Sequence, residues 1–178
     1  MEKDKVKIRA RNNAYALLRQ RPRSEFEIRE RLKLKGYGEG VIESVVEALR
    51  RAGEIDDERF ARLWVEDRMR ANPAGDVILR YELKAKGLST ALIETALAEK
   101  AEKYDEYEIA LAIARERFDR LKKIDRPKAL KRLYDFLLRR GFKYETVKRV
   151  TEVIASEAKQ SKNEIASSED GYTPSSSQ

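Results

Sequence analysis

The feature that most constrains this chain is a short pattern that returns three times. Leu32-Lys33-Leu34-Lys35-Gly36-Tyr37, Leu83-Lys84-Ala85-Lys86-Gly87-Leu88 and Leu137-Leu138-Arg139-Arg140-Gly141-Phe142 all read Leu-x-x-basic-Gly-apolar. The glycines stand 51 and then 54 residues apart. Four residues before each leucine is another apolar residue: Ile28, Leu79 and Leu133. Five and six residues after the glycines come Val41-Ile42, Leu92-Ile93 and Thr146-Val147. Agreement over more than one helix, at a period near 50 residues, marks a tandem array.

Each unit reads as three helices. In the first, Asn13 to Gln20 forms a helix that Arg21-Pro22-Arg23 breaks. Ser24 to Lys35 forms the second, with Ser24 and Glu27 at capping-box spacing. Gly36 supplies the left-handed residue that ends it. The third runs from about Gly40 to Ala52, with Val41, Val45, Ala48 and Leu49 on one face, and Gly53 stops it.

The second unit repeats the plan. Asp56 or Asp57 caps a helix carrying Phe60, Trp64 and Val65, Asn72-Pro73-Ala74-Gly75 turns the chain, and Gly75 to Lys86 is helix two. Ser89 caps helix three. The third unit opens at Asp105, restarts at Asp125-Arg126-Pro127 and closes with a helix over about Tyr144 to Ile154.

The expected repeats are therefore residues 12–55, 56–104 and 105–155. Residues 156–178, rich in Ser, Lys and Glu, read as a disordered tail, helical at most at its start. The expected fold is all-α: a tandem array of three three-helix repeats. It is expected to be elongated and curved, because a unit of this size buries little apolar surface until it stacks on a neighbour.

Composition limits the chemistry. The 178 residues contain no Cys and no His, which removes disulfides, thiolate zinc sites, a cysteine nucleophile and the Ser-His triad. Eight Gly and four Pro are too few for an all-β sandwich. No phosphate-cradling Gly-rich loop is present. No apolar run approaches the roughly 18 residues of a membrane span, and residues 1–13 are too charged for a secretory signal. The expectation is a soluble, intracellular, monomeric protein without cofactor, metal or membrane partner. An enzyme would need Asp, Glu, Lys or Tyr chemistry in a pocket the sequence does not reveal. Asp56-Asp57 could hold a cation, but their place at a helix start reads as capping.

The net charge of +7 is unevenly spread. Residues 1–55 carry 14 basic and 9 acidic groups, residues 56–104 carry 9 and 10, residues 105–155 carry 14 and 9, and residues 156–178 carry 2 and 4. The first and third repeats are the basic ones. Such patches favour polyanions or acidic protein surfaces, and a solvated, salt-bridge-laced helical surface accounts for them equally well.

The candidate cations follow from the repeats. Lys35, Lys86 and Arg140 precede the glycines, where they complement a helix C-terminus and could also form a stripe. Arg29 and Lys33 match Arg80 and Lys84 on the second helices of the first two units. In the third unit those places hold Tyr134 and Leu138, and the basic residues shift to Lys128, Lys131, Arg132, Arg139 and Arg140. Phe60, Trp64 and Phe118 are expected in the core. Tyr37 and Phe142 are expected to pack back on the preceding helix. Tyr15, Tyr81 and Tyr134 can stack on bases where exposed, or pack in the core or at its rim.

These residues also carry a resemblance. Arg21-Pro22-Arg23-Ser24-Glu25 followed by Arg29, Leu32 and Lys35-Gly36-Tyr37 resembles the opening repeat of the RecX family. Ile55-Asp56-Asp57-Glu58-Arg59-Phe60-Ala61, then Arg68, Gly75, Arg80, Glu82-Leu83 and Lys86-Gly87, resembles its most recognisable segment. The resemblance spans roughly residues 12–154 and is looser in the third repeat.

It implies a cytoplasmic bacterial regulator that binds the RecA–single-stranded DNA filament, limits filament growth, ATP hydrolysis, strand exchange and coprotease activity, and in some members binds DNA directly. It also implies filament contacts through Arg59, Arg68, Arg80 and Lys86. One departure stands out. Members usually carry basic residues just after the Gly75 position, where this chain has Asp76-Val77-Ile78. The alternative expectation is a general nucleic-acid binder acting without RecA, docking short basic helices on a duplex.

Overall fold

The computed structural model describes residues 2–121 and 123–169, with side chains described over 4–121 and 123–160. Among the described residues it contains nine helices and no strand: α1 (Glu2–Leu18), α2 (Glu25–Leu34), α3 (Glu39–Arg51), α4 (Asp57–Ala71), α5 (Asp76–Ala85), α6 (Thr90–Lys103), α7 (Glu106–Asp119), α8 (Arg126–Arg139) and α9 (Tyr144–Glu169). Helices α1–α3, α4–α6 and α7–α9 each pack as a triplet. The triplets fall into two compact units. Met1–Lys103 holds the first two, and Tyr104–Gln178 holds the third.

The recurring motif is a helix stop. Gly36, Gly87 and Gly141 all have positive φ, at 82°, 79° and 80°. The N–H of the residue after each glycine donates to the carbonyl of the motif leucine: Tyr37 to Leu32, Leu88 to Leu83 and Phe142 to Leu137, each at 3.3 Å. Each glycine N–H donates to the carbonyl three residues back, at 2.9 Å. This is the Schellman arrangement, which satisfies carbonyls left over at a helix C-terminus. Leu32, Leu83 and Leu137 are fully buried, so the same six residues end the helix and anchor it in the core.

The helix starts are set as locally. The Ser24 hydroxyl accepts from the Glu27 N–H, and the Glu27 carboxylate accepts from the Ser24 N–H, completing the capping box. Asp56 caps α4 through the Arg59 N–H, and Asp105 caps α7 through the N–H groups of Tyr107 and Glu108. The Asp57 carboxylate accepts the Glu25 N–H at 2.8 Å. The acidic pair at 56–57 thus serves two backbone donors, one on each side of the α1–α3/α4–α6 junction.

Two helices exceed the sequence expectation. The first helix begins at Glu2 rather than near Asn13, because nothing in residues 2–12 breaks a helix and Ala10 and Ala14 are fully buried in the first core. The last helix does not stop near Ile154 but runs on to Glu169, through much of the expected tail. Residues 170–178 of that tail lie outside the described residues.

The first core joins Ala10 and Ala14 to Ile28, Leu32, Ile42, Val45, Val46, Leu49 and Ile55. In the second triplet Phe60, Val65, Met69, Leu79, Leu83, Ile93 and Leu97 are buried. The third core contains Ala110, Leu111, Ala114, Leu133, Leu137, Phe142, Val147, Val150 and Ile154. Tyr37 and Phe142 pack back as expected; Phe118 is only partly buried against the third core. Trp64 is half-buried rather than core. Among the described residues no helix is long and apolar enough to cross a membrane.

Candidate interaction surface

The run Arg21 to Glu27 meets the end of α5. The Ser24 hydroxyl, fully buried, donates to the Lys86 carbonyl at 2.7 Å. The Lys86 ammonium reaches the Glu27 carboxylate at 2.9 Å, and Arg21 reaches the same carboxylate with two nitrogens at 2.7 and 3.0 Å. The Glu27 side chain is only 13% exposed. Burial pushes its pKa up, but the hydrogen bonds from Arg21 and Lys86 outweigh this and hold it at about 2.

Lys86 also lies over the Trp64 ring, 4.7 Å from its centroid. The Trp64 indole N–H donates to Glu82 at 3.0 Å, and Arg68 pairs with the same carboxylate at 3.1 Å. Arg50 joins α3 to Glu25 at 2.6 Å. Burial pushes the Glu25 carboxyl up, and Arg50 and Arg29 bring it below its ordinary value. The first two triplets are therefore locked by a network of charge-assisted hydrogen bonds.

This network sorts the candidate cations into two groups. Arg29 is held by Glu25 at 2.9 Å and Glu43 at 2.7 Å. Arg68 is held by Glu82 and by the Asn72 carbonyl. Arg80 pairs with Glu94 through two nitrogens at 2.8 and 3.1 Å, a contact that raises its pKa and lowers that of Glu94. Lys86 is committed to Glu27 and Trp64, and Arg140 lies over the Phe136 ring at 5.4 Å. By contrast Lys33, Lys35, Arg59, Lys84, Arg132 and Arg139 are exposed and meet no carboxylate among the described residues. Lys33 and Lys84 occupy the same place in successive repeats.

The sequence reading leaves the exposure of Tyr81 and Tyr134 open and does not single out Arg23, Tyr107, Tyr144 or Arg149 as contact residues. Arg23 is 10% exposed and its Nε has no hydrogen-bond partner among the described residues. It lines a cleft with Leu18, Pro22, Phe60 and the Arg59 side chain. Tyr81 is 72% exposed on α5, next to Lys84 one turn on. In the third triplet Tyr134 meets Tyr144, and Arg149 lies over Tyr107.

Three all-helical triplets with glycine stops at matching places define a tandem three-helix-repeat protein. Comparison with known proteins sharpens this. The family models for the first, second and third three-helix domains of RecX match residues 10–49, 56–97 and 104–151. A regulatory protein RecX from Chlorobium phaeobacteroides is 36% identical over 141 residues, 79% of this chain and 90% of that protein. One from Clostridium botulinum is 32% identical over 145 residues, 80% of this chain and 67% of that protein. The crystal structure of RecX from Lactobacillus salivarius shares the fold, with a TM-score of 0.74 at 19% identity over 85% of this chain and 98% of that one. The chain belongs to the RecX family of regulatory proteins.

Proposed function

We propose that this protein is a non-enzymatic, cytoplasmic modulator of the RecA recombinase. It binds the RecA–single-stranded DNA filament as a monomer and limits filament growth, ATP hydrolysis, strand exchange and coprotease activity. Family membership supports the partner. The observation that carries the reading on this chain is the sorting of its cations. Arg29, Arg68 and Arg80 are paired within their own triplets and Lys86 between the first two, which leaves Lys33, Lys35, Arg59, Lys84, Arg132 and Arg139 facing outward.

Repeats that each offer two such cations make many weak contacts on a periodic polyanionic partner. Linking these contacts raises overall affinity without any single strong one. The cations the family resemblance singles out are, apart from Arg59, the ones already used internally. Filament contact is therefore assigned here to Arg59 and to the unpaired lysines and arginines.

The test is a salt series. Binding of the full chain to RecA filaments on single-stranded DNA is measured between about 50 and about 200 mM salt. With about four phosphates of the single strand neutralised, it weakens roughly 50-fold over that range. Affinity that barely changes would contradict an electrostatic grip. A second reading, direct binding of nucleic acid without RecA, is favoured by the paired tyrosines of the third triplet and their basic surroundings.

A further inference from the structure

Helix α8 carries Lys131, Tyr134 and Leu138 at i, i+3 and i+7, which places them along one face. Helix α9 begins with Tyr144, followed one turn on by Lys148. The two rows meet where the Tyr134 and Tyr144 rings pack edge to face, centroids 6.4 Å apart and planes at 85°. Tyr144 is 59% exposed and Leu138 38%. Lys131 and Lys148 are exposed and meet no carboxylate among the described residues.

An edge-to-face pair leaves the flat face of one ring open to a third ring, and here a lysine flanks the pair on each helix. The acidic neighbours Asp135 and Glu145 follow Tyr134 and Tyr144 directly, so each is turned about 100° away around its helix. Residues 105–155 carry five more basic than acidic groups, which sets the sign of any ligand.

We infer that this α8–α9 face binds single-stranded nucleic acid. Bases stack on Tyr144, supported from the side by Tyr134, while Lys131 and Lys148 neutralise the phosphates on either side. A single strand is chosen over a duplex because only unpaired bases present a free π-face to a tyrosine. A carboxylate-rich protein surface would use the lysines but gain nothing from a stacked ring. This inference rests on the second reading above, direct binding without RecA.

The experiment uses the full chain and a fluorescein-labelled oligothymidylate of about 20 nucleotides, read by anisotropy with no RecA present. The wild type binds it. Tyr144→Ala weakens binding at least about fivefold, the loss expected for one stacked base. Tyr144→Phe, which keeps the ring, binds like the wild type. Lys131→Ala with Lys148→Ala lowers the slope of log affinity against log salt by about 1.4. An equal-length duplex binds more weakly and is indifferent to Tyr144→Ala.

Three outcomes overturn the inference: no binding by the wild type, an unchanged affinity in Tyr144→Ala, or equal losses in the Ala and Phe variants. RecA inhibition by the same variants is measured separately. Loss of oligonucleotide binding with inhibition intact leaves both proposals standing. Loss of inhibition in a wild type that still binds the oligonucleotide removes the RecA reading alone.

Discussion

Gly87→Ala is expected to destabilise the first unit by roughly 2–5 kcal/mol, well beyond the same change at Gly36 or Gly53. Two costs add. At φ 79° any side chain occupies the left-handed region, which costs about 1–2 kcal/mol. A methyl group at this position would also stand 2.3 Å from the Cβ of Phe26 and 2.4 Å from its Cγ. The Phe26 Cβ is fixed to the backbone of α2, so a rotamer change cannot relieve the overlap. The first two triplets must move apart, and overpacking of this kind costs about 1–3 kcal/mol. Gly36 and Gly53, at φ 82° and 69°, have nothing within 4 Å of an added methyl group, so alanine there costs only the first term. Urea unfolding of the three variants checks this. Equal losses at all three sites would mean that α2 and the end of α5 are not in close contact.

Glu27→Gln is expected to cost roughly 2–4 kcal/mol at neutral pH and almost nothing near pH 2. The Glu27 carboxylate is bound by Arg21, Lys86 and the Ser24 N–H, and its pKa is about 2 when folded against an ordinary 4.5. A depressed carboxyl pKa stabilises the fold above the unfolded value, and this contribution fades as pH falls from 4.5 to 2. The difference in unfolding free energy between wild type and variant is therefore flat above about pH 5 and shrinks below it. Denaturant midpoints across that range measure it. A difference that persists unchanged to pH 2 would place the loss in packing rather than charge.

These two sites show what a sequence can reveal and what it cannot. The glycine stops were legible because the Schellman turn needs one residue type at one place, repeated three times. The Ser24–Glu27 box was legible because both partners lie within one turn. The second role of Glu27, holding Lys86 59 residues later, leaves no local mark. The same is true of Arg50 reaching Glu25 and Arg68 reaching Glu82. Counting charges therefore could not separate Arg80, tied to Glu94, from Lys84, exposed one turn away. The early start of α1 was missed because a charged helix with two buried alanines has almost no apolar stripe. Tyr144 was missed as a binding residue because its partnership with Tyr134 depends on how α8 and α9 pack.

The measurement that tests the central claim most directly is the single-stranded-DNA-dependent ATPase rate of the cognate RecA with this protein titrated in. The wild type is expected to depress the rate at well below one copy per RecA subunit. The Lys33→Ala, Lys84→Ala double variant, folded as the wild type by circular dichroism, is expected to need at least about fivefold more protein for the same effect, from two lost ionic contacts at low salt. An ATPase rate that stays unchanged at excess wild-type protein would contradict the account.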